Sequence, residues 1–541
     1  MKRSNYENFR LYRESNLAQE SNLVELEPES LLSIALVFPN SYPVGMANLG
    51  FQSIYRLFNE MPGVRCERAF LYDRFPGIAQ TLETGRHLRD FDIIAFSVSY
   101  ELDFPNLVQI LLDAGITPFA AERHSREPLV MAGGAIAFMN PTPIEPFIDL
   151  FYLGEIEPQV RQLLSTMLKC KQQRSERKET LDQLSELPGI YLPARKADKS
   201  IARVYSTNDR YHPQYSPIIS PNCHFKNMFL VEVGRGCGRY CRFCAASHIY
   251  HPFRIFSQDR ILSTIDRYHQ NTRRIGLIGA ALSDYPQLHA LCETLVDQGY
   301  ELGLSSFRLD MITPEFLKVL ERGQVRSLTF APEAGTERLR WLIHKNLSDQ
   351  QIINAAEAIA YSKVQQLKLY FMIGLPNESE DDLVGIIELV KSIQKITSKR
   401  KKAVSLMVSI NTFIPKPFTP FQWSPMLRET EIRRKRKFLE RELRKLPGVQ
   451  VARKNVKDEI LQGMFSLGDQ RIAKAIHFKL TQHVDWSAAW KQAGIDPDFI
   501  HQPRPFDTIL PWDFIKSGFE KRRLLMRGEL AQSTDGDSRP N

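Results

Sequence analysis

Two long runs of alternating apolar strands and amphipathic helices dominate this 541-residue sequence and constrain its fold more than any other feature. Few hairpin signals interrupt the first run, so its strands are expected to pair in parallel with helices between them. The pattern predicts an α/β fold with a doubly wound parallel sheet, whose ligands bind at the carboxyl ends of the strands. The predicted strands span residues 34–38, 64–71, 92–99, 129–134 and 150–155.

The second run contains six predicted strands, with amphipathic helices such as residues 350–363 and 380–397 between them. Six strand–helix units suit a partial (β/α)6 barrel, because an eight-unit barrel typically needs about 250 residues. The six strands are predicted at residues 229–233, 274–279, 302–306, 327–330, 368–373 and 404–410. The predicted domains are a polar arm (1–30), the first sheet (31–160), a helical connector (161–222), the barrel (223–425) and a helical C-terminal region with a disordered tail (426–541).

Composition limits the class of protein without identifying a partner. Hydrophobic residues make up 43% and charged residues 25%, which excludes a wholly disordered chain. The formal net charge of +9 permits an acidic partner such as RNA but does not require one. The N-terminus lacks the apolar core of a secretory signal, and no apolar run approaches the ~20 residues of a membrane helix. We therefore expect a cytoplasmic protein with no membrane span.

Three of the seven cysteines, Cys237, Cys241 and Cys244, lie directly after the first strand of the second run. Thiolates this close in sequence can converge on one inorganic core, and a 4Fe–4S cluster held by only three leaves one iron free to bind a substrate. A structural zinc site with His248 as fourth ligand, or three unrelated core thiols, are the alternatives. Cysteines 66, 170, 223 and 292 stand singly; Cys292 is interpreted as a packing residue.

This CxxxCxxC pattern, with Phe243 before its third cysteine and a barrel of about six strands around it, resembles the radical S-adenosylmethionine (SAM) superfamily. The resemblance implies that the three cysteines hold a 4Fe–4S cluster, and that the amino and carboxylate groups of SAM bind its open iron. Phe243 is expected to pack near the adenine. The remaining residues expected to contact SAM follow successive strands: Asp284, Ser306, Arg308, Glu333, Gly374 and Pro376, with Ser283 and Ser305 beside them.

Each of these further residues also has a purely structural interpretation. Glu333 can complement the dipole of the helix that follows it. Residues 374–379 read Gly-Leu-Pro-Asn-Glu-Ser, similar to the GLPGET signature of the family, but they can also form only a tight turn between strand and helix. Asn377 replaces the usual glycine, and asparagine tolerates a left-handed backbone.

The first sheet resembles the cobalamin-binding domain of one large radical SAM subgroup, and the whole chain is most similar to an uncharacterised branch of it. Residues 38–50, 96–102, 132–134, 154–155 and 413–423 carry this similarity. The DxHxxG motif, whose histidine ligates cobalt in many cobalamin proteins, is absent. Two interpretations therefore stand: a cobalamin-binding domain, or the same fold kept as a substrate or docking domain. Expected cobalamin contacts are Gly45, Ser97, Gly133, Gly134 and Gly154.

The resemblance implies a radical enzyme that cleaves SAM reductively to a 5′-deoxyadenosyl radical, which abstracts hydrogen from an unknown substrate. Cobalamin would add methyl transfer; without it, ring closure, oxidation or sulfur insertion are the options. Flavodoxin or ferredoxin is implied as the reducing partner. The alternative is an iron–sulfur protein, without cobalamin, that acts on or binds RNA through the basic helix predicted at residues 428–446. A solvated face is the favoured interpretation of that helix, because Glu440 and Glu442 interrupt its charge.

Overall fold

The first half of the chain forms one six-stranded sheet in the computed structural model, which describes residues 4–195, 200–207, 211–305, 307–399 and 403–532. In chain order its elements are α1 (Asn5–Gln19), β1 (Ser21–Asn22), β2 (Leu32–Phe38), α2 (Tyr42–Gly45), α3 (Leu49–Asn59), β3 (Val64–Phe70), β4 (Ile93–Ser97), α4 (Phe104–Asp113), β5 (Leu129–Gly133), β6 (Leu150–Tyr152), α5 (Val160–Gln172), α6 (Arg177–Ser185) and β7 (Ile190–Tyr191).

The sheet order is β3-β2-β4-β5-β6-β7, and all neighbours run parallel except the final antiparallel pair of β6 with β7. Every residue of β2 is buried, as expected for a parallel strand covered by helices on both faces. The strand order reverses between β2 and β4, so a ligand crevice is expected at their carboxyl ends. All five predicted strands are present, and the doubly wound sheet is confirmed.

Residues 1–30, predicted to be a polar arm, contain helix α1, which is docked on the first sheet. Phe9 of this helix is 1% exposed, and its ring packs 4.6 Å from that of Tyr72. Just beyond the helix, Glu20 forms an ion pair at 2.7 Å with Arg68, whose side chain is fully buried. Further contacts hold the segment, such as the hydrogen bond of 2.7 Å from Arg13 to the carbonyl oxygen of Glu83, and none of them produces a compositional signal.

The second half continues through two further parallel sheets. Its elements are β8 (Ile201–Ala202), β9 (Ile218–Ile219), β10 (Phe229–Glu232), β11 (Gly234–Arg235), α7 (Ala246–Ile249), β12 (Arg254–Ile255), α8 (Gln258–Tyr268), β13 (Arg274–Ile278), α9 (Leu288–Asp297), β14 (Glu301–Leu304), α10 (Pro314–Arg322), β15 (Ser327–Glu333), α11 (Glu337–Leu342), α12 (Asp349–Ala360), β16 (Gln366–Ile373), α13 (Glu380–Thr397), β17 (Ser405–Thr412), α14 (Glu429–Leu443), β18 (Val449–Ala452), α15 (Val456–Leu467), α16 (Arg471–Thr481), α17 (Trp486–Gln492), β19 (Ile515–Lys516) and α18 (Lys521–Gln532).

These sheets have the orders β10-β13-β14 and β15-β16-β17-β18. A single parallel bridge between Phe307 and Phe330 joins them, so the strands form an open arc, and no closed barrel forms among the described residues. The partial barrel is confirmed, with one addition. Strand β18 lies in the region predicted to be helical and pairs in parallel with β17. Helix α14 connects β17 to β18. Four residues are enough to form an edge strand when it pairs with a strand that is already part of a sheet.

The C-terminal region is otherwise helical, as predicted for residues 426–541 as a whole. Its last helix, α18, begins at Lys521, after Ile515 and Lys516 pair with Ile201 and Ala202 of the connector. None of the helices in the described ranges combines the length and apolar character needed to cross a membrane. The predicted disordered tail falls mainly on residues 533–541, which lie outside the described residues.

Candidate functional site

The three clustered cysteines lie on a loop at the carboxyl end of β10, and we call residues 237–244 the cysteine loop. Gly236 enters it with φ of +83°, and a Cβ there would lie 2.3 Å from the carbonyl oxygen of Tyr250. Only glycine therefore lets the chain turn back this closely. Cys241 is buried, whereas Cys237 and Cys244 are partly buried.

The thiols of the loop lie close enough to influence one another's protonation. Burial raises the pKa of Cys241 to about 12; Lys345 opposes this, whereas the two other thiols reinforce it. Burial likewise raises the pKa of Cys244. Iron removes such thiol protons on binding. Among the described residues, no three Cys, His, Asp or Glu side chains stand together as ligands for one metal ion. A 4Fe–4S cluster does not require three ligands around a single metal ion, because each of its thiolates binds a different iron atom.

His248, the fourth ligand of the zinc alternative, lies among aromatic and cationic groups. Its ring packs 5.0 Å from that of Phe519, and it is fully buried. Burial lowers its pKa to about 4, and Arg527 contributes in the same direction. These surroundings disfavour the zinc alternative.

Glu333, one of the residues expected to contact SAM, forms an ion pair beside the thiols. It ends β15 at an irregularity of the strand, and its backbone has φ of +72°, a strained value that functional sites often retain. Its Oε1 lies 3.2 Å from Nζ of Lys345. Burial raises the pKa of Glu333. Burial alone would lower the pKa of Lys345, but the nearby Glu333 and Cys241 have the larger effect, so the pKa of Lys345 is raised. Lys345, in the loop after α11, carries no sequence motif and was missed.

Two other expected SAM contacts have partners within the protein. The carboxylate of Asp284 accepts hydrogen bonds of 2.9 Å from Nε of Arg239, so it anchors the cysteine loop. Arg308 pairs with Asp310 at 2.8 Å, and its backbone N–H donates to Ser283. Both therefore hold loops at the strand ends. Ser306 lies outside the described residues.

The Gly-Leu-Pro-Asn-Glu-Ser segment closes as a tight turn. Gly374 has φ of +82°, and its N–H donates to both carboxylate oxygens of Glu378, at 3.0 and 2.9 Å. Lys435 of α14 pairs with the same carboxylate at 2.5 Å. These contacts fit the interpretation of the motif as a tight turn, in which Pro376 is partly buried; SAM contacts of Gly374 and Pro376 stay predictions.

A cavity of about 420 Å³ borders the cysteine loop at Phe243, and we call it the Phe243 cavity. The first sheet, the barrel and α15 all contribute to its wall: Tyr100, Leu102, Phe243, Met372, residues 411–414, Lys416, Lys454, Asn455, Asp458, Glu459 and Gln462. Glu101 ties this junction together, because it pairs with Lys416 and accepts a hydrogen bond of 2.9 Å from Gln462. Phe243 therefore lines a cavity next to the cysteine loop.

A second cavity of about 510 Å³, the sheet cavity, lies between the carboxyl ends of the first sheet and strands β10 and β13. Four of the five glycines and serines expected to contact cobalamin line it: Ser97, Gly133, Gly134 and Gly154. Gly45 does not, because it packs against Phe70, 2.6 Å from the position of a Cβ. At Gly134 and Gly154 a Cβ would meet backbone within 2.5 Å, so the fold itself requires glycine there. At Gly133 nothing lies within 3.7 Å.

A buried ionic network joins the sheet cavity to the cysteine loop. Arg235, two residues before Cys237, lies 2.8 Å from Glu157, 2.7 Å from Glu232 and 3.3 Å from Glu155. Arg254 pairs with Glu155 at 2.6 Å. We call these five residues the seam network. Its carboxylates are at least 90% buried. Sequence reasoning found Glu155 but missed the network, because its members come from separate loops.

The cations of α14 are largely neutralised by neighbouring carboxylates. The pairs include Arg433 with Glu429, Arg434 with Glu380, Lys435 with Glu378, Arg436 with Glu459, Arg444 with Glu440 and Lys445 with Glu442. This arrangement favours the interpretation of the basic helix as a solvated and packing face, and weakens the RNA alternative.

Comparisons with known proteins show to which protein family this architecture belongs. Residues 50–193 match the family "Radical SAM proteins, N-terminal", and residues 231–390 match the radical SAM superfamily. Uncharacterized protein MJ0966 of Methanocaldococcus jannaschii is 30% identical over 451 residues, which cover 82% of this chain and 91% of that protein. The chain belongs to the radical SAM superfamily. It is therefore an enzyme, and a 4Fe–4S cluster and SAM are its cofactors.

Solved structures support the fold. The radical SAM methyltransferase TsrM of Kitasatospora setae, with cobalamin and a 4Fe–4S cluster bound, matches with a TM-score of 0.51 and 11% identity over 74% of this chain and 75% of that chain. The cobalamin-dependent SAM radical enzyme OxsB, with aqua-cobalamin and SAM bound, matches with a TM-score of 0.51 and 13% identity over 93% of this chain and 79% of its own. The predicted order of a doubly wound sheet before a partial barrel is thus confirmed.

Proposed function

We propose that this radical SAM enzyme forms a 5′-deoxyadenosyl radical at the cysteine loop and uses cobalamin in the sheet cavity to methylate a substrate radical. One observation carries the proposal: the same short stretch of chain borders both cavities. Arg235 and Gly236 line the sheet cavity, and Phe243 lines the other. Two cofactors held in these cavities would lie on either side of one cluster.

Cys237, Cys241 and Cys244 are the proposed cluster ligands. When bound, the cluster supplies the electron that cleaves SAM to methionine and a 5′-deoxyadenosyl radical, which takes hydrogen from a carbon of the substrate. The protein holds the loop through Arg239 and Asp284, and the partial burial of the thiols limits the access of water. Anaerobic reconstitution with iron and sulfide, followed by dithionite and SAM, tests the proposal: 5′-deoxyadenosine must form. Failure of a cluster-loaded protein to release it would contradict the function.

The Glu333–Lys345 pair suits the methionine end of SAM. That end carries an ammonium and a carboxylate, and the pair presents a carboxylate and an ammonium next to the thiols. Because both groups are buried, charge-assisted hydrogen bonds to SAM would be strong there. We propose that Glu333 and Lys345 orient SAM, and that Phe243 contacts its adenine.

Lys345→Gln is expected to raise the SAM concentration at half-maximal 5′-deoxyadenosine formation roughly 10-fold, because a charge-assisted hydrogen bond contributes about 1.5–3 kcal/mol. Equilibrium dialysis with SAM and the cluster-loaded protein checks the affinity directly. Lys363→Gln is the matched control, since Lys363 is 73% exposed. Equal SAM affinity in both variants would contradict the assignment.

The sheet cavity fits a cofactor that approaches backbone closely. A Cβ at Gly133 would make only an ordinary contact, 3.8 Å from the carbonyl oxygen of Tyr152, and the cavity lies at the point where the strand order reverses. Cobalamin, when bound, supplies a methyl group for transfer. Among the described residues lining the cavity there is no histidine, so this chain offers no imidazole to cobalt there. We propose that Ser97 and Gly133 contact the cofactor, whereas Gly134 and Gly154 maintain the wall.

Gly133→Leu is expected to reduce bound cobalamin at least 10-fold, because the new side chain occupies the cavity. The full-length chain is loaded with hydroxocobalamin, passed through a desalting column and measured by its visible spectrum. Ser165→Leu, on the exposed face of α5 in the same domain, is the matched control. Circular dichroism establishes that both variants fold. Retention of cobalamin by a folded Gly133→Leu protein would contradict the assignment.

The enzyme requires a one-electron reductant, as radical SAM enzymes do. We propose an acidic electron carrier of the flavodoxin or ferredoxin class. All seven cysteines are free thiols, which suits a reducing compartment such as the cytoplasm. The neutralised charges of α14 weigh against RNA as the partner.

A further inference from the structure

A cationic face covers the outer side of the cysteine loop. It draws on the loop itself, on the segment after α11 and on α18. We define it by five arginines, Arg239, Arg242, Arg522, Arg523 and Arg527, together with the neighbouring His344.

Direct contacts bring these three segments together. The guanidinium of Arg527 lies 4.8 Å from the ring centre of Tyr240, within the loop. The ring of Phe519 packs 5.9 Å from the same tyrosine. On the other side, Nδ1 of His344 lies 2.9 Å from the carbonyl oxygen of Arg239. The backbone N–H of Arg242 donates to the carbonyl of residue 343 at 3.0 Å. The face is therefore one continuous surface.

The positive charge of this face is poorly compensated. Within the described ranges, neither Arg242 nor Arg527 makes an ion pair with a carboxylate, and Nη1 of Arg527 is buried without a hydrogen-bond partner. Acidic groups at the face are engaged by individual cations or by Trp341. Asp284 pairs with Arg239, on which Asp310 also acts, Glu520 lies 3.9 Å from Arg523, and Glu337 accepts a hydrogen bond of 3.3 Å from Trp341. The positive charge of Arg242 and Arg527 therefore favours binding of an anionic partner.

Exposed apolar side chains stand next to these cations. Trp341, on α11, is 51% exposed, and Met526, on α18, is 56% exposed. Aromatic residues, methionine and arginine are the residue types enriched at protein interfaces. Their combination with uncompensated positive charge fits an acidic protein rather than a small anion.

We propose that the cationic face docks the acidic electron-carrier protein that reduces the cluster. The inference rests on the proposed function, because the cysteine loop directly beneath the face is the proposed cluster site. In each docking event the reduced carrier would be oxidised by one electron, and the cluster held by Cys237, Cys241 and Cys244 would be reduced by one. Such encounters bury little area and depend on electrostatic steering.

The test uses Arg522→Glu with Arg523→Glu, two exposed positions on α18. Stopped-flow absorbance follows cluster bleaching by reduced flavodoxin, an acidic carrier, in the cluster-loaded full-length enzyme. The double variant should react about 10-fold more slowly at low ionic strength, because steering raises association rates by 10-fold or more. The difference should shrink as salt screens the charges. Reduction by photoreduced deazariboflavin, which is small and neutral, should proceed at the same rate in both proteins.

Arg441→Glu with Arg444→Glu on α14 is the matched control, since it changes the net charge equally on exposed side chains outside the face. This control variant should slow the reduction of the cluster by flavodoxin less than 2-fold. Equal slowing by both double variants, or equal slowing with deazariboflavin, would overturn the docking surface. A protein in which neither reductant bleaches a cluster would overturn the proposed function instead.

Discussion

Replacing Cys241 with alanine is expected to abolish 5′-deoxyadenosine formation, with a loss of at least 100-fold. Cys241 is the buried member of the three thiols, and its neighbours interact with it electrostatically. Two remaining thiolates cannot hold a 4Fe–4S cluster firmly, because each ligand binds its own iron. The measurement is iron and sulfide content after anaerobic reconstitution, together with the product released from SAM.

Cys292→Ala is the matched control for this experiment. Cys292 is fully buried on α9, where it serves only as a packing residue, so the variant should retain its cluster and lose only modest stability. If Cys241→Ala and Cys292→Ala bind equal amounts of iron and release equal amounts of 5′-deoxyadenosine, the cysteine loop is not the cluster site.

Arg235→Met is expected to lower the free energy of unfolding by about 3–5 kcal/mol, because removing one partner leaves buried charges uncompensated. Glu157 and Glu232 would both lose their 2.7–2.8 Å contacts. Urea unfolding of the full chain measures the change. Arg274→Met is the matched control: Arg274 pairs with Glu301 at 3.5 Å, but both are more than 40% exposed, so less than about 1 kcal/mol should be lost. Equal losses would contradict the seam network.

The destabilisation by Arg235→Met should also depend on pH. Burial raises the pKa of Glu232, but Arg235 and His212 outweigh it and lower the pKa to about 2. A carboxyl whose pKa is lowered by folding stabilises the folded state above its ordinary value of 4.5, and that contribution disappears as the pH falls toward 2. The advantage of the unmodified protein should therefore shrink as the pH falls below 4.5. A difference that grows in acid would contradict this coupling.

The seam network gives these predictions a common structural basis. Glu155 and Glu157 follow the last parallel strand of the first sheet, whereas Arg235 immediately precedes the cysteine loop. A change at the sheet cavity can therefore reach the loop through one guanidinium. Arg235 therefore connects the wall of the sheet cavity directly to the start of the cysteine loop.

Several structural differences from the predictions have local causes. Strand β18 was predicted to be part of a helical region, because an edge strand of four residues produces almost no periodic signal. Gly45 was expected to contact a ligand, but a glycine can also be required by a neighbouring ring, and here Phe70 occupies that space. The ion pair of Asp284 with Arg239 in the cysteine loop could not be inferred from their separation along the chain, and a SAM contact of Asp284 stays a prediction.

The amino-acid sequence alone determined the order of the two α/β units and the cysteine motif, because these depend on local periodicity and on short spacings. The resemblance of that motif and its setting to the radical SAM superfamily implied the family. Only the tertiary structure showed the two cavities, the Glu333–Lys345 pair, the seam network and the cationic face. Each of these brings together residues from distant segments, such as Lys345 beside Cys241 or Arg527 beside Tyr240. Burial and opposite charge select such contacts only after the chain has folded, so no pattern along the sequence records them.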